Sequence, residues 1–209
     1  MTNLKALLAS IAIFSATVSH AERVNHDVTT FDIAGITLGM GSDEAIEKMT
    51  ELTGVAFENM STGYPEPNPV TGNDEISYAI AETDDFEISV SFTAAVPLNE
   101  DMPLVVSSIS FQMPQTPDNM ASMRTRAFEK YGPPTDGSTE DPDHFDLAWC
   151  TIPEDTPTAS CSSGVGRYLT LGRGMSGLSS VRELVLFDIS YADAVSDFVN
   201  GENSSEPKF

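Results

Sequence analysis

A glycine-rich stretch comes closest to a known binding motif in this chain. Residues 172–177 match the G-x-G-x-x-G pattern of dinucleotide-binding loops letter for letter. Such a loop has to enter a helix whose N-terminus faces the pyrophosphate, whereas residues 178–190 alternate like a strand. We therefore interpret the motif as the turn of a hairpin. A second glycine turn, residues 39–42, precedes a helix whose first turn carries Asp43 and Glu44, which would repel a phosphate, so we interpret it as a helix cap.

Acidic side chains are the other candidate ligands. The run 136–146 is rich in Asp and Glu and has the oxygens that Ca²⁺ prefers, as does a hairpin tip with Asp84, Asp85 and Glu87. The run lacks the spacing of an EF-hand and contains Pro142, so a hydrated loop is the simpler interpretation. A Ca²⁺- or small-ligand-binding module that uses these acidic loops is the alternative hypothesis for function.

Groups for nucleophilic catalysis do not stand together in the sequence. His26 lies in a polar lead-in, His144 lies in the acidic run, and no G-x-S-x-G elbow is present. A hydrolase with two carboxylates is a third hypothesis, but no pair stands out among 32 Asp and Glu. We therefore predict a non-enzymatic protein with no catalytic residue, no cofactor and no metal site.

The charge balance bears on the class of partner. The chain has 32 Asp and Glu against ten Lys and Arg, a net charge of −22. Nucleic acids and anionic lipids are bound through clustered Lys and Arg, so we expect neither as partner. The acidic excess most simply serves solubility, and it permits binding to a basic partner.

The first 21 residues have the pattern of an export signal. Lys5 precedes a mostly apolar run over residues 6–18, and Ser19 and Ala21 are small residues at the positions that signal peptidase reads. The run is shorter than the about 20 residues that span a bilayer. We expect a periplasmic or secreted chain that begins near Glu22 and does not insert into the membrane after cleavage.

Cys150 and Cys161 are the two cysteines of the chain. An even number in an exported protein most simply forms a disulfide, and the C-x₁₀-C spacing is not that of a redox C-x-x-C motif. We expect Trp149 to pack on this disulfide. Tyr64, in a proline-rich loop over residues 61–72, is the more exposed aromatic candidate for a partner contact.

Two helices and several alternating segments define the fold class. Helices are predicted from Ser42 to a terminal Gly54 and from an N-cap at Thr116 to a terminal Gly132. Each is followed by three segments that alternate as antiparallel strands do. In the first segment we expect Ile76, Tyr78 and Ile80 on one face, and in the third Val105, Ile109, Phe111 and Met113.

The order helix, strand, strand, strand therefore occurs twice, with an offset of about 76 residues. We predict an α+β fold of two tandem α-β-β-β units with an antiparallel sheet and helices packed on one face. The units span residues 22–115 and 116–200, a short closing helix covers 191–200, and 201–209 form a flexible tail. Two such small units would gain by sharing a core.

Residues 33–40, which read I-x-G-I-x-L-G-M before a helix with Glu44 and Ala45, resemble a stretch of many small bacterial cell-envelope proteins. These include proteins of the β-lactamase-inhibitor-protein-like fold and the small lipoprotein of the outer-membrane β-barrel assembly machine. Residues 131–134 (YGPP) are similar to their helix-closing motif. The chain departs from the pattern at Gly41, where Ser or Thr is usual, and has no lipid-attachment cysteine.

The resemblance implies a fold and a compartment, and no inhibitory residue carries over from it. Together with the repeat and the lack of a catalytic constellation, it supports our leading hypothesis. The protein is expected to act by protein–protein contact on an exposed sheet face, with another envelope protein as its partner.

Overall fold

A computed structural model of the chain describes residues 23–137, 146–154, 160–161, 166–176 and 179–203. The export signal predicted over residues 1–21, residues 138–145 with His144, and the end of the predicted tail lie outside these residues. No helix among the described residues is long and apolar enough to cross a membrane.

The described fold consists of three α-helices, two 3₁₀ turns and twelve strands. The helices are α1 (Ser42–Thr53), α2 (Pro117–Tyr131) and α3 (Ser190–Asn203), and the 3₁₀ turns are Val28–Thr30 and Phe57–Asn59. The strands are β1 (Asp32–Ile33), β2 (Ile36–Thr37), β3 (Ser61–Thr62), β4 (Glu66–Pro67), β5 (Asp74–Glu75), β6 (Tyr78–Glu82), β7 (Glu87–Ala94), β8 (Leu104–Pro114), β9 (Asp136–Gly137), β10 (Leu147–Cys150), β11 (Arg167–Ser176) and β12 (Ser179–Asp188).

Eight strands form one antiparallel sheet in the order β3-β6-β7-β8-β12-β11-β10-β9. The predicted α+β class with an antiparallel sheet is confirmed. β1 and β2 form a separate two-stranded ribbon, as do β4 and β5. The second ribbon starts inside the segment 61–72 that we predicted as a loop, and it pairs Glu66 with Glu75 and Pro67 with Asp74.

One face of the sheet, called here the core face, carries the hydrophobic core. Every second residue of a strand points to the same side, so cross-strand neighbours line up in rows. Two rows cross this face from β6 to β10: Ala79, Val90, Ile109, Leu186, Leu169 and Trp149, and Ala81, Ile88, Phe111, Leu184, Leu171 and Leu147. All of these side chains except Phe111 are buried.

Helices α1 and α2 cover the core face. Their buried residues join the same cluster as the two rows: Ala45, Met49, Met123, Ala127 and Tyr131. Helix α1 ends at Gly54, whose φ of 72° is a conformation that glycine adopts at little cost. Helix α2 begins as predicted, because the Thr116 hydroxyl accepts a hydrogen bond from the Asn119 N–H and Pro117 occupies the first turn.

Strand β6 turns a different side to the core than we expected. Ala79 and Ala81 are fully buried, whereas Tyr78 is exposed and Ile80 is only partly buried on the other face. The prediction that Tyr78 and Ile80 face the core is therefore wrong. Helix α1 packs on β6, and the small alanine side chains leave room for the helix to approach the strand.

Strand β8 also differs from the simple alternation. The register between β7 and β8 shifts at Ser91 and Phe92, as in a β-bulge. As a result Val106, and not Val105, lies opposite Phe92 in the core cluster. Val105 is buried elsewhere and forms an isolated β-bridge with Gly41, at the start of α1.

Helix α3 follows β12 directly and is anchored by the buried Asp188. The Asp188 carboxylate accepts hydrogen bonds from the Ser190 N–H at 2.9 Å and the Ser190 hydroxyl at 2.6 Å, and it forms an ion pair with Arg167 of β11. Helix α3 contacts β7 and brings the Tyr191 hydroxyl next to Gly39. The C-terminal helix is thus fixed to both halves of the sheet.

Candidate functional site: the open face of the sheet

The glycines of the G-x-G-x-x-G motif lie inside strand β11. Gly172 and Gly174 pair with Glu183 and Val181 of β12, so the strand continues through residues that we predicted as a turn. A Cβ atom at Gly172 would lie 2.9 Å from Asp146 Oδ1, and one at Gly174 would lie 2.7 Å from Glu183 Oε2. These glycines make room for neighbouring carboxylates, and the next described element is a strand and not the helix of a dinucleotide site.

The acidic loops lie beside two clefts. Asp136 and Asp146 line one of them, and Asp84, Asp85 and Glu87 line the other. Within the described part of the chain, no group of three or more His, Cys, Asp or Glu is arranged to hold a metal ion. The rest of the acidic run lies outside that part.

His26 has a structural contact in the lead-in segment. Its Nε2 forms a hydrogen bond of 2.7 Å with the Pro133 carbonyl oxygen, and its ring lies 6.0 Å from that of Phe31. The side chain thereby connects the start of the described chain to the end of α2.

The predicted disulfide between Cys150 and Cys161 is present, with Cα atoms 5.7 Å apart. It is buried with Ile152, and Ala148 and Tyr168 pack against this small cluster. A buried disulfide fits a protein of an oxidising, extracytoplasmic compartment.

Trp149 lies on the opposite side of the sheet from the disulfide. Its ring packs edge-on against Phe128 and Tyr131 of α2, and its Nε1–H donates to the Gly132 carbonyl at 2.9 Å. The expectation that Trp149 packs on the disulfide is wrong, because consecutive residues of a strand point to opposite faces.

The face of the sheet away from α1 and α2, called here the open face, consists of three further rows. The acidic row is Glu82, Glu87, Gln112, Glu183 and Gly172; the neutral row is Ile80, Ser89, Ser110, Val185, Thr170 and Ala148; the aromatic row is Tyr78, Ser91, Ser108, Phe187, Tyr168 and Cys150. None of these positions is Lys or Arg. The open face is therefore acidic along one side and aromatic along the other.

Glu183 is held in a fixed orientation within the acidic row. Its Oε1 accepts hydrogen bonds from Ser110 Oγ at 2.7 Å and from Gln112 Nε2 at 2.9 Å. The Gln112 Oε1 atom is buried and has no hydrogen-bond partner among the described atoms. The Glu183 carboxylate is thus oriented by Ser110 and Gln112, whereas the Gln112 Oε1 atom beside it has no donor among the described atoms.

Glu82 and Glu87 face each other directly across β6 and β7. Like charges in this position repel and destabilise a sheet. Burial raises the pKa of the Glu87 carboxyl, and the charges of Glu82 and Glu183 raise this pKa further. The acidic row thus concentrates negative charge that its own residues do not neutralise.

The two clefts open along the acidic row, near its two ends. The first has a volume of about 390 Å³, and its lining includes the acidic Asp146 and Glu183 together with the basic Arg173. The second has a volume of about 360 Å³, and its lining includes Glu82, Glu87 and Gln112. Because Asp146 Oδ1 lies over Gly172, the Asp146 carboxylate extends the negative charge to the β10 side of the row.

Aromatic side chains provide contact area near the opposite side of this face. The Tyr168 and Phe187 rings lie 5.6 Å apart, and Tyr78 is partly exposed at the other end of the aromatic row. Tyr64, predicted as an exposed aromatic residue, is 92% exposed.

The acidic row itself was not predicted from the sequence. Glu183 alternates with apolar residues as any solvent-facing strand residue does, and only the pairing of β8 with β12 brings it into line with Glu87.

The comparisons with known proteins find no family model, curated protein or solved structure that matches the chain.

Proposed function

We propose that the protein is an exported, non-enzymatic binding protein of the cell envelope that contacts another protein through the open face. The observation behind this proposal is that α1 and α2 both pack on the core face, so neither covers the three rows on the other side. The disulfide cluster packs on Ala148 and Tyr168 at the β10 end of these rows, and α3 contacts β7. The neutral row presents small side chains between an acidic and an aromatic border. Such a mixed, shallow surface suits a protein contact better than a small-molecule site, which is usually a deep apolar pocket.

We further propose that the chain consists of two tandem α-β-β-β units. The orders α1-β6-β7-β8 and α2-β10-β11-β12 support this, although the short strands β3, β4, β5 and β9 interrupt them. The last strands of the two units, β8 and β12, pair antiparallel in the middle of the sheet with Phe111 opposite Leu184. The units would then share one continuous core and one continuous open face.

Two variants of equal charge test the proposed contact surface. Ser89→Arg places a large side chain in the neutral row, and Thr125→Arg adds the same charge on the exposed side of α2. We expect the wild type and Thr125→Arg to capture the same protein from envelope extract, and Ser89→Arg to recover about tenfold less of it, as for an obstructed interface centre. Equal capture by all three folded proteins would reject the open face as the contact surface.

Two measurements separate this proposal from the alternatives. Calorimetric titration with Ca²⁺ would favour the acidic-loop module if it released or absorbed heat and raised the melting temperature. A hydrolytic turnover that disappears on a single Asp, Glu or Ser substitution would contradict a non-enzymatic role.

A further inference from the structure

We propose that the ribbon of β4 and β5 is a second contact site, whose free edge enters a groove of a partner protein lined by aromatic side chains with N–H or O–H donors. The two strands and the residues around them, 64–75, are called here the proline ribbon. This surface is separate from the three rows of the open face, so the proposal goes beyond the proposed function and does not depend on it.

The free edge of the proline ribbon is the outer edge of β4. Among the described strands, β4 pairs with β5 alone. The Asn68 N–H donates to the Asn73 carbonyl oxygen at 2.8 Å, so the backbone groups of Asn68 point towards the β5 side. Consecutive residues of an antiparallel strand direct their N–H and C=O groups to alternate edges. The backbone groups of Glu66 therefore also point to β5, and those of Pro65 and Pro67 point to the free edge.

This edge accepts hydrogen bonds but does not donate them. Proline has no backbone N–H, and Pro65, Pro67 and Pro69 occupy every second position of the segment. A further β-strand needs both donors and acceptors along an edge, so neither a second copy of this chain nor a partner strand pairs with this one as in a sheet. The carbonyl groups of Pro65 and Pro67 instead suit the side-chain donors of a partner.

The same segment exposes the rings that such a groove would contact. Tyr64 is 92% exposed, the largest fraction among the exposed large hydrophobic side chains of the described residues. Pro65, Pro67 and Pro69 are exposed as well. Grooves lined with aromatic rings recognise proline-rich extended segments, and a Tyr or Trp in the groove combines a ring surface with an O–H or N–H donor. A partner of this kind would match both the rings and the carbonyl groups of the edge.

The proline ribbon is held in shape before it binds. Each proline ring fixes φ at about −65°. Asn68 closes the turn at the tip, because its carbonyl oxygen accepts from the Gly72 N–H at 2.8 Å and its Oδ1 accepts from the Val70 N–H at 2.9 Å. The edge therefore loses little conformational freedom on binding, which favours a contact of small area.

Charge on the ribbon argues against a lipid surface as its occupant. Glu66, Asp74 and Glu75 lie on its two strands, and residues 49–123 contain no Lys or Arg. Anionic lipids attract clusters of Lys and Arg. The exposed Tyr64 therefore suits a protein groove better than a bilayer.

The base of the proline ribbon adjoins one end of the open face. A Cβ atom at Gly63 would lie 3.1 Å from Cε1 of the Tyr78 ring, which belongs to the aromatic row. No residue of the three rows lies within residues 64–75, so substitutions test the two surfaces separately.

A photoreactive side chain in the ribbon tests the proposal in cells that express the full chain. Tyr64 is replaced by p-benzoylphenylalanine, and the adduct is mapped by mass spectrometry of the crosslinked peptides. One background combines Pro65→Ala with Pro67→Ala, which gives the edge two N–H donors and removes two rings. The control background combines Glu66→Ala with Asp74→Ala, two exposed residues of the same ribbon that leave the edge without donors.

We expect one discrete adduct with another protein, attached to a segment of it that contains Trp or Tyr. The Pro65→Ala, Pro67→Ala background should give about tenfold less of this adduct, and the control background should stay within about twofold of the unsubstituted one. NMR amide signals of Asn68 and Gly72 in the purified variants check that the turn is kept. The type of residue mapped on the partner decides the proposal even where the turn is disturbed.

Equal yields in the two backgrounds would overturn the proposal, since the edge would then not be recognised. An adduct with a second copy of this chain, an adduct with a segment that lacks Trp and Tyr, or the absence of any adduct would overturn it as well. None of these outcomes bears on capture by the Ser89→Arg variant, so failure of this proposal and failure of the proposed function are distinguishable.

Discussion

The core face and the open face are formed by the same strands but differ in the side chains they carry. On the core face, two rows of apolar side chains run without interruption from β6 to β10 under α1 and α2. On the open face, carboxylates, small side chains and aromatic rings occupy separate rows. Uniform burial accounts for the first face, whereas stability alone does not account for the like charges on the second.

Neighbouring residues on β12 give the largest expected contrast between the two faces. Leu186 is fully buried in the core cluster, and Val185 is partly exposed in the neutral row. We expect Leu186→Ala to lower the free energy of unfolding by about 2–5 kcal/mol, since it leaves a cavity, and Val185→Ala to lower it by less than about 1 kcal/mol. Urea denaturation of both variants measures the difference, and similar losses would contradict the assignment of the faces.

Removal of the disulfide should have an intermediate effect on stability. Closure of a short loop between Cys150 and Cys161 is expected to contribute about 3 kcal/mol in the chain-entropy model. We therefore expect the Cys150→Ser, Cys161→Ser double variant to melt at a lower temperature. A melting curve unchanged by reductant in the wild type would show that the disulfide does not stabilise the fold.

Relief of repulsion on the open face should give a small gain in stability. Glu87→Gln removes a carboxylate opposite Glu82, and we expect it to raise the free energy of unfolding at pH 7 by less than about 1 kcal/mol. Glu47→Gln, on the exposed side of α1, is the control and should change stability less. A loss of stability in Glu87→Gln would show that this charge takes part in a favourable contact.

The gain from Glu87→Gln should depend on pH in a defined direction. Burial raises the pKa of Glu87 above its ordinary value of 4.5, so the folded protein holds this proton more tightly than the unfolded chain. The ionised Glu87 carboxylate therefore lowers the free energy of unfolding as the pH rises from about 4.5 through the raised pKa. Well below this pKa the carboxyl is protonated in both states and does not lower it. Denaturation of the wild type and the variant is measured at pH values from about 3 to about 7. The free energies of unfolding of the two proteins should converge at the acidic end of this range.

The sequence predicted most of the elements because their signals are local. The N-cap at Thr116, the terminal Gly54 and the β6–β7 hairpin are each determined by residues close in the chain. The prediction of which β6 side chains point to the core was wrong, because α1 packs on Ala79 and Ala81 and not on their larger apolar neighbours. A local apolar pattern cannot show which side a helix will approach.

The candidate site was less predictable than the fold. Glu82 and Glu87 belong to a recognisable hairpin tip, but their alignment with Glu183 depends on pairing between β8 and β12. That pairing joins strands that are distant in sequence, and a bulge near Ser91 changes the register on the way. Since a shift by one residue moves every side chain to the other face, the composition of the open face follows only from the three-dimensional register.

Site-specific photocrosslinking in the cells that express the protein tests the central claim most directly. A photoreactive side chain is placed at Ser89 or Thr170 of the neutral row, and at Glu47 of α1 or Thr125 of α2 as matched helix positions. We predict that both sheet positions yield the same discrete adduct with another protein and that neither helix position yields it. Adducts from the helix positions alone, or in equal amount from all four, would contradict the open face as the binding surface.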